Sequence, residues 1–340
     1  REIRMDQSFP VLIDQMWKAA YGNQYLGRLP IGDLPELKSI KMNELNQFYR
    51  TWYAPNNAVM VISGKFDKVE VLNKIDQYFS LIPARTVPAP VQVPVLDSSK
   101  IEQRKFTVQK GSNLAKFHIY MNGKNTQLQP ALALAPALYT MQPSGTLYKS
   151  MVETGMSTAV DSTKWLDQNF NLVFIGAIYA PNHDAKKVED ALIDGVENSQ
   201  AFTDAELQRI KIITQNTADT IANDAVALGS RLSDYAVSSH GQWDQYFKDL
   251  QAIQDLKLND ANQILKQFLV SSHRISGDIQ PTPEDQKKAM TLKAQDKPKT
   301  LDQSTEKPES FKDVAIYQQE VTQFVAQSAQ QLQKHEQKIQ

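Results

Sequence analysis

Side chains able to do chemistry are few in this sequence, and they are scattered. Five histidines, His118, His183, His240, His273 and His335, are spread along the chain, and no two stand four residues apart. That spacing would bring two imidazoles onto one helix face to share a metal ion. His335-Glu336 lies inside a Gln-rich run that reads as a solvent-exposed helix. Cysteine is absent, which removes thiolate metal sites and disulfides. Any chemistry must therefore come from carboxylates, hydroxyls and amines, and their placement depends on the elements that carry them.

Strands and helices alternate along the chain. Residues 58–63 are an apolar run rich in β-branched side chains that follows the turn signal Ala54-Pro55-Asn56-Asn57 and ends in Gly64; this predicts a buried strand. Residues 68–79 put Val69, Leu72, Ile75 and Phe79 on one helical stripe. Residues 172–179 predict another strand, and residues 184–197 an amphipathic helix with Val188, Ala191, Leu192 and Val196 turned inward. Thr203-Asp204-Ala205-Glu206 is a capping box, so a long helix should follow. Pro83, Pro88, Pro90 and Pro94 forbid helix and favour an extended linker. From Pro281 to about residue 310 the sequence is polar, with too little apolar surface to offset ordering. Phe311, Val314, Tyr317, Val321, Phe324 and Leu332 then restore helical periodicity to the end of the chain.

The chain also resembles itself. Ile40-Lys41-Met42-Asn43-Glu44-Leu45-Asn46-Gln47-Phe48 matches Leu256-Lys257-Leu258-Asn259-Asp260-Ala261-Asn262-Gln263-Ile264 almost position by position. Residues 50–53 correspond to 266–269, and each copy is expected to pass through a turn into a strand ending Ile62-Ser63-Gly64 or Ile275-Ser276-Gly277. Asn43 and Asn259 are expected N-caps, and the two glycines are expected to permit equivalent turns. Copies this far apart imply a repeat of whole domains rather than of solenoid elements. The chain is expected to hold the tail of one lobe and all of the next.

Residues 40–83 resemble the pitrilysin/insulinase zinc peptidases, the inverzincins. Their lobes carry a helix ending Phe-Tyr…Trp-Tyr-Ala-Pro-Asn-Asn, a buried strand and a helix ending Tyr-Phe before a Pro. Here these are Phe48-Tyr49-Arg50-Thr51-Trp52-Tyr53 running into residues 54–57, then residues 59–64, and Tyr78-Phe79-Ser80-Leu81-Ile82-Pro83. Tyr25-Leu26-Gly27-Arg28-Leu29-Pro30-Ile31-Gly32 is similar to the family's loop after the active-site helices, and residues 143–155 to a second-lobe segment of long bacterial members. The resemblance implies an α+β fold of repeated lobes, each a mostly antiparallel sheet covered by helices, one partial and one complete. The expected organisation is residues 1–85 as the C-terminal part of the first, active-type lobe, 86–100 as linker and 101–282 as a second, inactive lobe. A polar linker at 283–310 and an amphipathic helix at 311–340 leading to a further lobe complete it.

Members of the family cut peptides with a zinc ion held by His-x-x-Glu-His and a later Glu. The intervening Glu takes a proton from the zinc-bound water, whose pKa the metal lowers to about 7. The motif is missing from this sequence. Arg1-Glu2-Ile3-Arg4-Met5 resembles the end of the stretch that carries the third ligand, which places Glu2 at a metal-ligand position; the other reading of Glu2 is an exposed carboxylate. In the second lobe, residues 127–140, the expected counterpart of the zinc helix, contain Ala, Leu and two Pro but no His or Glu. Where family lobes that help bind substrate present Arg and Tyr, this chain offers Thr146 and Thr158, with Tyr148 nearby. The lobe reads as structural.

The resemblance implies a fragment of a zinc metalloendopeptidase acting on peptides or unfolded proteins, with zinc in the parent protein and none expected on this chain. Its expected partners are that substrate, the missing N-terminal half-lobe and further C-terminal lobes. The alternative is a non-catalytic scaffold or binding subunit. A net charge of −1 without basic blocks argues against nucleic acid. Apolar stretches such as residues 131–139 are too short to span a bilayer. The long bacterial resemblance suggests a periplasmic or exported parent. Residues 1–4 show no signal core, so any targeting segment should lie outside this sequence.

Overall fold

The structure, a computed structural model, describes residues 8–22, 32–89, 105–109, 113–123, 125–239, 241–285 and 287. All of these fall within the unit formed by residues 1–289. Glu2, the helix expected at 311–340 and most of the two expected linkers lie outside the described residues.

Five strands, β1 (Lys105–Gln109), β2 (Leu114–Gly123), β3 (Ala159–Leu166), β4 (Phe170–Tyr179) and β5 (Arg274–Gln280), form one sheet in the order β1-β5-β2-β4-β3. Only β1 and β5 run parallel; the pairs β2/β5, β2/β4 and β3/β4 are antiparallel. The expected mostly antiparallel sheet is therefore present, and the strand expected at 172–179 is β4, which lies between β2 and the edge strand β3.

Period-two alternation in β2 separates two cores. Ala115, Phe117, Ile119 and Met121 join one cluster, while Tyr120 joins the other with Val173, Ile175 and Ala177 of β4. Ten helices are described: α1 (Ser8–Tyr21), α2 (Leu34–Ser39), α3 (Met42–Trp52), α4 (Lys68–Phe79), α5 (Gln129–Thr140), α6 (Ala185–Val196), α7 (Asp204–Ala222), α8 (Ala225–Ser238), α9 (Gln245–Asp255) and α10 (Leu258–Phe268). The second cluster is where α5, α6, α7, α9 and α10 meet the sheet, through Leu132, Leu192, Leu207, Ile253 and Leu265 among others. Helix α6 turns Val188, Leu192 and Val196 inward as its periodicity demands. The capping box at Thr203 and Glu206 starts the 19-residue α7.

The opposite face of the sheet is covered by α1. Leu12, Met16, Trp17 and Tyr21 are its buried stripe, and Phe9 sets its ring edge-on to Phe117 and Phe174 at centroid distances of 5.4 and 5.3 Å. The close approach depends on Gly277 of β5, because a Cβ there would stand 2.5 Å from Leu12 Cδ1. Gly277→Val should therefore displace α1, at a cost of about 1–3 kcal/mol, and leave residues 8–21 exchanging their amide hydrogens rapidly. Unchanged protection of those amides would disprove this packing.

The two copies of the repeat share local geometry to a fine degree. Helices α3 and α10 are both 11 residues long and begin 216 residues apart, at Met42 and Leu258. Their N-caps, Lys41 (φ −95°, ψ 152°) and Lys257 (φ −86°, ψ 151°), and their C-caps, Tyr53 (−92°, 77°) and Leu269 (−86°, 70°), nearly coincide. Each is followed by a single 3₁₀ turn, Pro55–Asn57 or Ser271–His273. Asn57 Nδ2 donates to the Trp52 carbonyl at 2.8 Å, and His273, at the matching position, donates from Nδ1 to the Phe268 carbonyl at 2.8 Å. Two different side chains thus close the same turn.

This register corrects three expectations. Asn43 and Asn259 sit inside the first turns rather than at the caps, where Lys41 and Lys257 stand; Glu44 instead reaches back to the Lys41 N–H at 3.0 Å. Carried past the turn, the register pairs Gly277 with Val61, so Gly64 and Gly277 are not equivalent: Gly64 has φ 133° at a bend, while Gly277 lies within β5. Finally, residues 58–63 are not a buried strand. Val59, Met60 and Ile62 are exposed, because a strand needs a neighbour to pair with and none lies alongside among the described residues.

Candidate functional site

Helix α5 is the place to look for a metal, and its chemistry does not suit one. Ala131, Leu132, Leu134, Ala135, Leu138 and Tyr139 are buried along its length, and apolar side chains offer no lone pair to zinc. Among the described residues no cluster of three His, Asp or Glu side chains is placed to hold a metal ion. A zinc ion does not fit the residues present, and no catalytic step is assigned to them.

Pro136 gives α5 a different use. Two of the helix carbonyls accept from side chains, one of them that of Pro136 itself. Ser162 Oγ donates to the Pro136 carbonyl at 3.1 Å, as does Thr140 Oγ1 at 3.0 Å, and Lys164 Nζ donates to the Ala133 carbonyl. Ser162 and Lys164 lie on β3, the edge strand, which is thereby fastened to the helix by polar bonds. The start of α5 is held by buried Asn171, whose Nδ2 donates to the Asn125 carbonyl at 2.8 Å, and by Gln129 Nε2, which donates to the Asp167 carbonyl at 2.8 Å.

Beside this seam, α5, β3, α7, α8 and α9 enclose an open cleft of about 1220 Å³. Lys164 projects into it from β3 and Arg231 from α8, between apolar walls that include Leu166 and Ile213. Lys164 keeps an exposed surface, yet desolvation by the surrounding protein, with the charge of Arg231, pushes its ammonium below the ordinary lysine range. Tyr235 and Asp249 form the far wall. Burial and the adjacent Asp249 carboxylate push the Tyr235 hydroxyl well above its usual range, and Asp249 also accepts from Gln245 Nε2 at 2.7 Å.

A second polar group lies inside the lobe, between the sheet and α6. Lys116 Nζ contacts Asp278 at 2.7 Å and Glu189 at 3.2 Å. Burial disfavours that ammonium, but the two carboxylates outweigh it and raise its pKa. Tyr120 donates its hydroxyl to Glu197 at 3.0 Å, and Arg274 pairs with the same carboxylate. His118, 1% exposed, stands between these groups. Its Nδ1 is 3.5 Å from the Tyr120 hydroxyl and its Nε2 has no partner. His118 is enclosed while Glu189, Arg274 and Asp278 keep part of their surface, and the group bolts α6 to the sheet.

The remaining residues singled out in the sequence have local roles. Tyr148 accepts a bond from Gln142 at 3.0 Å, Thr158 closes the start of β3 on the Ile178 carbonyl through its N–H at 2.7 Å, and Thr146 Oγ1 is buried without a partner. The structure does not bring these three together around the cleft. Sequence reasoning missed Lys164, Arg231 and the buried charged row. A signal for the row existed: Lys116, His118 and Tyr120 alternate with apolar residues in β2, a strand whose two faces are both buried.

Residues 39–214 match the family described as the Peptidase M16 inactive domain. The chain belongs to this family. Over 278 residues it is 23% identical to presequence protease 1, chloroplastic/mitochondrial, of Arabidopsis thaliana, covering 74% of this chain and 26% of that protein. Over 59 residues it is 37% identical to the probable zinc protease PqqL of Escherichia coli, covering 17% of this chain and 6% of that one. The chain thus spans about a quarter or less of these relatives. In fold it is similar to a protease from Helicobacter pylori, with a TM-score of 0.72 at 18% identity, covering 82% of this chain and 68% of that one. PqqL itself, solved as a periplasmic protease, matches with a TM-score of 0.62 at 15% identity over 86% of this chain and 35% of that one. The fold described above is thus shared with known proteases. No described helix is long and apolar enough to cross a membrane.

Proposed function

We propose that this chain is the inactive, substrate-enclosing lobe of a zinc-dependent metalloendopeptidase that hydrolyses peptides or unfolded proteins, together with the second half of the active-type lobe before it. One observation carries the reading. Leu265 and Leu269 of the second copy are 3% and 1% exposed, whereas Tyr49 and Tyr53 at the matching positions are 57% and 62% exposed. The same amphipathic unit is buried in a lobe in one copy and bare in the other, as expected if another segment of the parent protein completes the first lobe. Residues 1–85 are then the C-terminal part of that lobe, 86–100 a linker, 101–282 the inactive lobe, 283–310 a second linker, and 311–340 a helix leading onward. Within this reading Glu2 is the third zinc ligand, and the His-x-x-Glu-His motif lies upstream. The likeness to a periplasmic protease supports an exported, periplasmic parent.

The test compares this chain with a longer one that includes the upstream residues. The longer chain should retain one zinc after dialysis, cleave quenched fluorescent peptides and lose both properties on Glu2→Gln. The 340-residue chain should do neither, since two of the three protein ligands are absent. Upstream residues without the motif would sink the peptidase and favour the scaffold. Stoichiometric zinc and chelator-sensitive turnover in the shorter chain would overturn the assignment of an inactive lobe.

A further inference from the structure

We propose that the cleft between β3 and helices α7–α9 is a peptide-binding site in which Lys164 and Arg231 hold the free C-terminal carboxylate of the peptide. The proposal rests on the peptidase-lobe reading only for the choice of a peptide as ligand; the anion-binding chemistry is independent of it.

Two cations from separate elements, an edge strand and a helix, line one cleft. Among the described residues no carboxylate lies within ion-pair distance of either. The acids that share the cleft are otherwise placed. Asp249 is engaged by Gln245 and Tyr235, Asp167 accepts from the Asn169 N–H at 2.9 Å, and Lys248 is taken by Asp244 at 2.7 Å. Asp234, one turn from Arg231 on α8, makes no ion pair with it. Two like charges that share a cleft without an ion pair repel each other, and an anion between them removes that cost. The Ala133 carbonyl uses one of the three Lys164 donors, so two remain for a ligand, beside the planar donor fork of Arg231 that suits a carboxylate.

The cleft is far larger than an isolated ion requires. At about 1220 Å³ it exceeds the usual span of small-molecule pockets, about 300–1,000 Å³. Its apolar lining, Leu166, Ile213, Ile221 and Ile253, suits side chains of a peptide. One wall is the free edge of the sheet. The Asp167 N–H bonds the Phe170 carbonyl where β3 and β4 close, and alternation from that pair turns the backbone groups of Lys164 and the carbonyl of Ser162 away from β4, toward the open side, the Ser162 N–H being held by Asp161 Oδ1 at 2.8 Å. A carboxylate seated on Lys164 would leave the preceding residues of the peptide within reach of these groups.

The test uses the 340-residue chain and a short apolar peptide labelled at its N-terminus, prepared as the free acid and as the C-terminal amide, with binding followed by fluorescence anisotropy. The free acid should bind about tenfold or more tightly than the amide. Lys164→Gln and Arg231→Gln should each bring the free acid down to the affinity of the amide and leave the amide unchanged. Arg231 is exposed on α8, so its variant reports on the site even if loss of the Lys164 bond to α5 loosens the fold; thermal melts check both. Equal binding of acid and amide, no binding of either, or variants that bind as the unaltered chain does would overturn the proposal. Inorganic phosphate displacing the peptide at equal concentration would make the cleft a general anion site and equally overturn it. Hydrolysis is not read out, so a longer chain without peptidase activity leaves a positive result standing, and failure here leaves the peptidase reading untouched.

Discussion

Leu265→Ala should destabilise the protein by about 2–5 kcal/mol, whereas Tyr49→Ala, 216 residues earlier in the repeat register, should cost less than about 0.5 kcal/mol. The two positions occupy the same place on helices of the same length with the same caps. Leu265 packs into the core formed by α5, α7 and the sheet, and its removal leaves a cavity that the flanking Leu132, Ile210 and Ile253 cannot fill without moving. Tyr49 stacks on Tyr53 at 4.9 Å but has no core beneath it. Urea midpoints measured on the two variants decide the matter. If a longer chain carrying the upstream residues is then used, Tyr49→Ala should become as costly as a core substitution, because the completed lobe would bury it. Equal and large costs in the 340-residue chain would mean that residues 34–89 already pack against something, and would remove the main support for a divided lobe.

What could be read from the sequence was local geometry; what could not was the identity of partners. The periodicity of Val188, Leu192 and Val196, the capping box at Thr203 and the apolar run of β4 each fix an element through interactions within a few residues, and each is where expected. Residues 58–63 carry the same kind of signal and yet form no strand, since pairing depends on a neighbour that local sequence cannot supply. The repeat was legible because Lys, Asn and Gln recur in register. Its turn was aligned wrongly at the glycines because two Ile-Ser-Gly triplets happen to fall near equivalent places, and the matched bonds of Asn57 and His273 carry the offset of the helices through the turn. The absence of metal ligands on α5 was plain from composition. The placement of Lys164 and Arg231 in one cleft was not, since the two residues lie on different elements far apart in the chain.

The largest pH effect should come from His118, which the sequence marked only as one of five scattered histidines. It faces Ser276 of β5 and Ile175 of β4 across the sheet, with Lys116 and Tyr120 on its own strand, Arg274 and Asp278 on β5, Lys105 on β1, Glu189 on the overlying α6 and Glu197 at the C-cap of that helix. Burial first, and then the positive charges of Arg274, Lys116 and Lys105, hold its imidazole well below the ordinary value of 6.5. The two carboxylates that might have favoured the imidazolium are already taken by Lys116 and Arg274. The folded protein therefore refuses a proton that the unfolded chain accepts. Stability is fully present above pH 6.5 and should fall by about 1.4 kcal/mol per pH unit below it, until the depressed folded value is reached. Glu189, lowered by Lys116 despite its burial, adds to the loss only below its ordinary value of 4.5, so the window between the two values belongs to His118. Replacing the imidazole with an uncharged amide, His118→Gln, should lower stability at neutral pH, because the buried site is imperfectly filled, but should flatten the dependence between pH 6.5 and 4.5. Chemical denaturation at intervals across that window measures both slopes. A flat profile in the unaltered protein, or an equal slope in the variant, would show that His118 is protonated within the fold and would refute the placement of its unpartnered Nε2 between two cations and the core.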